Sequence, residues 1–574
     1  MRPLIVILIL TITLSVFPHV ATAADQPQWG QPNSRNMVSD EKGLPDGFDP
    51  GTRNQQTGQI ELPGGSNVRW VARLGNQSYG SPIVAGGRVF VGTNNDAPRD
   101  PAIQGDRGVL MCFDEKTGRF LWQLVVPKLD EIKWADWQYI GLTSPPTVEG
   151  DLAYLVSNRC EALCLDMRGA VKWRFDMPAE LGVRPHNGSN CSILIRGNLL
   201  YVCTSNGCDW THNQVANPKA PSVVVLDKRT GKLVARDDFG IGADIIHGQW
   251  SSLALGAVTG GLSQSSSATG GLSRFSGHRG EAVVGENGTV PLSSANRTLL
   301  FFGAGNGWMY AFEALDPTSG GLSQFSSDEN GTVPLLLKNV WRFNGHPLAQ
   351  TQDNVPLEHC HDTHSYEVTA MSVFYQQRVY VTFTQEPYHN MMQGRLTCLD
   401  ATKTGNVTRS GCEKMGTGSV PTRINPVETP SAEVPVPILS QPRSAIRWSY
   451  DKIGASVSTV AIADGLVYAA GFDGRLHCLD AETGECYWVH EAGKPIWGSP
   501  LVADGKVYLG TGAQVLWVLA AGKQPKVINR IRMRDGVYTT PTAANGTLWV
   551  VTNRHLYAVG RGQGSGDKGQ GKEK

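Results

Sequence analysis

The chain is poor in charge. Charged residues make up 18% of its 574 positions, below the roughly 25% of an ordinary soluble domain. Lys+Arg 51 balance Asp+Glu 51 to a formal charge of +0. No basic block of useful length precedes the last few residues, so capture of nucleic acid or an anionic surface is a poor account of its role. Beyond the N-terminus no stretch approaches the roughly 20 apolar residues of a membrane-spanning helix. No two cysteines are adjacent, no Cys-x-x-Cys-His haem attachment occurs, and neither a phosphate-binding Gly-rich loop nor a convincing nucleophile elbow is found. These absences exclude a coiled coil, a charged tail protein and a polytopic membrane protein. What is abundant is Gly, at 66, and Trp, at 15, a turn-rich and aromatic-rich composition that argues against long helices.

At roughly 150 residues per domain the length suggests three or four domains. Internal repeats overrule that count. The segment Trp497-Gly498-Ser499-Pro500-Leu501-Val502-Ala503-Asp504-Gly505 matches Tyr79-Gly80-Ser81-Pro82-Ile83-Val84-Ala85-Gly86-Gly87, and each continues into a second strand. Asp-Gly and Gly-Gly are the chemistry of a tight hairpin turn. A second half-unit follows, Cys112-Phe113-Asp114 through Thr117-Gly118 to Trp122, matched by Cys478-Leu479-Asp480 through Thr483-Gly484 to Trp488. Together the halves make a four-stranded antiparallel meander that must stack on copies of itself to bury both faces. First strands begin near Ser81, Ser144, Cys191, Ser251, Thr369, Ser458, Ser499 and Thr540, which gives eight repeats. The last lacks its fourth strand, and Val68–Arg73 supplies one from the other end. The expected fold is an all-β, eight-bladed propeller of four-stranded antiparallel blades, closed by pairing that N-terminal strand with the C-terminal blade.

The Asp-x-x-Thr-Gly turn followed by Trp, at Asp114 to Trp122 and Asp480 to Trp488, recurs imperfectly at Asp166/Gly169/Trp173, at Asp227/Thr230/Gly231 with Ala235 replacing the Trp, and at Asp400/Gly405. It resembles the tryptophan-docking repeat of the pyrroloquinoline-quinone (PQQ) propellers, a family of quinoprotein dehydrogenases, BamB-type assembly proteins and other exported propellers. The resemblance spans about residues 68–560. In the dehydrogenases it implies a vicinal disulfide over the quinone and a Glu/Asn/Asp set around Ca²⁺. No Cys pair here matches, so no catalytic residue is carried over.

The remaining length divides as follows. Residues 1–23 read as a signal peptide, with Arg2, an apolar run from Leu4 to Val16, and cleavage near Ala23; a periplasmic or secreted protein is expected. Residues 24–67 form an N-terminal lead-in. Low-complexity insertions at about 259–294, 319–336 and 404–443 are expected to be solvated loops, and 561–574 a disordered tail. Cys112, Cys164, Cys398 and Cys478 share one repeat position and read as buried strand residues, whereas Cys203 and Cys208 leave a local bridge open.

Residues just before the first strands should ring one mouth of the central channel. The cofactor-binding candidates there are Tyr79, Arg184, His186, Asn187, His247, Trp250, Trp497, Asp535 and Tyr538. Four of these are aromatic at nearly the same offset, either a collar for a planar ligand or wedges between blades. His359, His361 and His364 are the metal candidates, with His186 or His247 as a further ligand from a neighbouring blade. The favoured function is an exported, monomeric propeller that binds an envelope protein or a small-molecule ligand. The alternatives are a PQQ-dependent alcohol or sugar dehydrogenase and a divalent-metal enzyme built on the His359–His364 cluster.

Overall fold

The computed structural model describes residues 24–129, 137–245, 247–259, 296–317, 327–328, 331–332, 334–350, 366–385, 392–408, 444–493 and 495–560. Their secondary structure is almost wholly strand. One short helix, Met177–Leu181, is capped by the Asp176 carboxylate and ended by Gly182. Eight antiparallel meanders follow one another as blades. Blade 1 comprises Ile83–Ala85, Arg88–Asn94, Arg107–Asp114 and Phe120–Pro127. Blades 2 to 7 start at Thr147, Leu194, Ala254, Val373, Ala461 and Leu501. Blade 8 takes three strands from Thr542–Val559 and its fourth, Val68–Arg73, from the other end of the chain, with Trp70 opposite Ala558.

The strand sequences reflect this stacking. Second strands such as Leu466–Ala470 are buried throughout, because a neighbouring blade covers each face, and they read as continuous apolar runs. Fourth strands lie at the rim and alternate, as Val68–Arg73 does.

The repeated motif residues join the blades. Asp114 accepts hydrogen bonds from the Thr117 amide and hydroxyl. This fixes a turn in which Gly118 takes φ +71° and leaves its Cα face to the Trp70 indole of blade 8. The Trp70 Nε1–H donates to the Glu115 carbonyl at 3.0 Å. The same joint recurs as Trp122 to Met167, Trp173 to Lys228, Trp341 to Ala401, Trp448 to Ala481 and Trp488 to Gly522, at 2.9–3.2 Å. Ala235 and Asn529 occupy the two positions without Trp. An added methyl at Gly484 would lie 2.6 Å from Trp448, whereas Gly465, with a similar positive φ, has nothing within 4 Å. Gly484→Ala is therefore expected to cost about 1–3 kcal/mol and Gly465→Ala about 1 kcal/mol or less in denaturant unfolding. Equal losses would show that the indole contact contributes nothing.

The Ser or Thr at each repeat start has a second role. The Thr540 N–H donates to Ser81 Oγ, Ser499 N–H to Thr540 Oγ1, Thr459 N–H to Ser499 Oγ and Met371 N–H to Thr459 Oγ1. A belt of hydroxyls thus ties consecutive first strands around the channel.

The lead-in is bound to every blade. Its carbonyls at Gln26, Pro27, Asn33, Ser34 and Met37 accept from Val84, Val148, Leu255, Phe374 and Val502, and that of Ala24 accepts from Asn545. The Asn36 amide exchanges two hydrogen bonds with Ile462. Arg35, fully buried, donates to the Leu253, Ser192 and Trp29 carbonyls and to Ser192 Oγ. All eight blades are contacted, and Val38–Ser39 adds a parallel strand to blade 7.

The structure adds two details to the sequence reading. Cys203 and Cys208 are not bridged: both thiols are free, and Cys208 Sγ donates to the Ile245 carbonyl. At the described ends of two insertions, Leu335–Leu336 and Gly405–Asn406 add parallel strands to the outer edges of blades 3 and 4. The cysteines at the shared repeat position stand opposite the docking Trp in register. Burial pushes the Cys112 thiol up to about 12, so it is an apolar filler and not a nucleophile.

Candidate functional site

Every blade sends residues from just before its first strand to one cavity of about 160 Å³ at the channel mouth. Tyr79, Thr143, Asn187, Trp250, Thr369, Val457, Trp497 and Tyr538 are one representative from each. The lead-in supplies Trp29, whose Nε1–H donates to Thr540 Oγ1, so the channel becomes a cup with an indole among its lining groups.

The walls are rings in mutual contact. Tyr79 lies 5.7 Å from Trp497 and 5.8 Å from Tyr538, and Trp497 meets Tyr538 nearly edge-on at 6.2 Å. Burial beside Tyr538 pushes the Tyr79 hydroxyl up to about 12, so it remains a neutral phenol at physiological pH. No Asp, Glu, Lys or Arg is among the described lining residues. Such a cup favours an uncharged, flat group that can lie against ring faces.

A histidine cluster stands beside Trp250. His247 lines the cup, and Trp250 meets its ring edge-on at 4.6 Å. Behind it His186 Nε2 lies 3.2 Å from His212 Nε2, and His186 Nδ1 is 3.0 Å from the Cys208 carbonyl. A carbonyl only accepts, so Nδ1 carries the proton and Nε2 the lone pair. Burial, reinforced by His247, pushes the His186 imidazole down to about 2 and keeps it neutral. His247 Nδ1 faces Glu367 Oε1 at 3.6 Å, and both side chains are buried.

Of the cofactor-binding candidates, Tyr79, Asn187, His247, Trp250, Trp497 and Tyr538 line the cup, and His186 supports it from behind. Two are engaged elsewhere. Arg184 turns towards the short helix and donates to the Pro178 and Val183 carbonyls. Asp535 is ion-paired to Arg53 of the lead-in and lies 3.2 Å from His555 Nδ1. His359, His361 and His364 lie outside the described residues. Trp29 and His212 were not identifiable from the repeat: Trp29 precedes it, and His212 sits between the second and third strands of blade 3, away from the first-strand starts. Glu367 stands two residues before Thr369, the offset of Tyr79 before Ser81, so the repeat marked its position although it was not among the candidates.

The architecture is that of a PQQ-type propeller whose channel mouth is an aromatic cup. The family model described as outer membrane protein assembly factor BamB matches residues 106–319 and 393–525, and the chain belongs to that family. No curated protein sequence matches it significantly. Among solved structures it is similar to BamB from Moraxella catarrhalis at 12% identity, covering 86% of this chain and 96% of that one, with a TM-score of 0.45. It is also similar to quinohemoprotein alcohol dehydrogenase from Comamonas testosteroni at 12% identity, covering 96% and 84%, with a TM-score of 0.42.

The described cup does not fit PQQ. The quinone is a flat tricyclic carrying several carboxylates, whereas the cup has no cationic side chain or calcium-binding carboxylate among its described lining residues. Unpaired carboxylates in such surroundings are strongly disfavoured. Its volume is comparable with the roughly 150 Å³ cavities that admit benzene.

Proposed function

We propose that the protein is a non-enzymatic binding propeller of the cell envelope, exported by its N-terminal signal peptide, whose cup holds one uncharged ring-sized group presented by a partner protein. The convergence of eight blades on an uncharged, aromatic-walled cup carries this reading. The family's description as an assembly factor supports a protein partner over a metabolite. So does the rim, where Trp137 beside the cup and Trp210 beside His186 are each 42% exposed. Exposed aromatics around a small pocket are the usual composition of a binding hot spot.

The test uses p-cresol, the side-chain analogue of tyrosine, titrated against tryptophan fluorescence in EDTA. Saturable quenching is expected, and Trp497→Ala should weaken it at least about tenfold, equivalent to about 1.4 kcal/mol. Unsaturable quenching, or the same affinity in the variant, would overturn the proposal. The dehydrogenase alternative predicts stoichiometric uptake of PQQ with Ca²⁺ and dye reduction by alcohols or sugars; the binding reading predicts neither.

A further inference from the structure

We infer that His186, His212 and His247 form a binding site for a divalent transition metal ion of borderline softness, Zn²⁺ or Cu²⁺, in the wall of the cup. Among the described residues these three bring one ligand nitrogen each to within 4.8 Å of one another. Two nitrogens bound to one tetrahedral Zn²⁺ lie roughly 3.4 Å apart, and the Nε2 atoms of His186 and His212 are 3.2 Å apart. Small side-chain rotations would bring the third into place.

The surroundings favour ligation over a simple cluster of polar rings. The Cys208 carbonyl fixes the His186 tautomer with its Nε2 lone pair towards His212. Glu367 stands on the Nδ1 side of His247, which leaves Nε2 of that ring as the ligand atom. A metal-binding His typically directs its other ring nitrogen to a carbonyl or carboxylate in this way. Imidazole donors suit Zn²⁺ and Cu²⁺ and are poor partners for Ca²⁺ or Mg²⁺. Three protein ligands leave a further coordination position for water or an incoming donor. Because His247 also lines the cup, the metal would sit against the space where a bound group rests. The inference stands apart from the ring-binding reading, which is measured in EDTA.

The test is equilibrium dialysis of EDTA-stripped full-length protein against micromolar ZnCl₂, read by elemental analysis, with Co²⁺ replacement read by visible absorption. Wild type should retain about one equivalent and give the intense visible bands of a tetrahedral Co²⁺ site. His212→Ala should lower affinity at least about 100-fold, and Glu367→Gln about 10- to 100-fold. His212 is only partly buried, so its variant should unfold with the wild-type profile in EDTA. The combined His359→Ala, His361→Ala and His364→Ala variant should retain the metal. No uptake by wild type, equal uptake by His212→Ala, or loss only in the combined variant would each overturn the assignment.

Discussion

Arg35→Ala should destabilise the protein by about 3–5 kcal/mol, the range for removing one partner from a buried, charge-assisted network. The guanidinium is fully buried and donates to three carbonyls and a hydroxyl, from Trp29 in the lead-in, Ser192 at the start of blade 3 and Leu253 at the start of blade 4. Deleting it leaves those buried acceptors without their donor. Burial already pushes the guanidinium down to about 10, so it remains charged at physiological pH. Lysine cannot reproduce the planar fork that reaches several acceptors, and Arg35→Lys should recover less than half of the loss. Denaturant midpoints and slopes measure both variants. A wild-type midpoint for Arg35→Ala would mean that the lead-in contributes little to stability.

Trp341→Ala is the second large effect, about 3–5 kcal/mol. Trp341 is among the largest fully buried side chains, packs 6.0 Å from Phe301 and donates to the Ala401 carbonyl across the blade 4–5 joint. Its loss removes an indole from the core and leaves that carbonyl without its partner. Trp341→Phe restores most of the volume but not the donor, and should recover about half. Equivalent losses for both variants would place the whole effect in the hydrogen bond.

The blades were legible in the sequence because each motif residue acts through a joint that is repeated around the ring. Asp114 and Gly118 shape a turn, Trp70 covers it, and the same chemistry returns at Asp480, Gly484 and Trp448. The six cup residues among the candidates were legible for the same reason, since they occupy fixed offsets before the first strands. The lead-in was not, because many of its attachments are made by backbone carbonyls, which any sequence carries, and the rest by side chains outside the repeat. Nothing in Gln28-Trp29-Gly30 therefore marks an indole that lines the cup. The ion pair of Asp535 was not legible, because its partner, Arg53, is brought to it only by folding of the lead-in. The His186, His212 and His247 cluster joins two loops of blade 3 to the start of blade 4, and no sequence spacing announces it.

The most direct measurement is a crystal structure of the protein soaked with p-cresol in EDTA. The account predicts a single ring bound between Tyr79, Trp250 and Trp497, with Trp29 in place and still bonded to Thr540. A cup left empty at saturating p-cresol, or a ligand seated only outside it, would contradict the account.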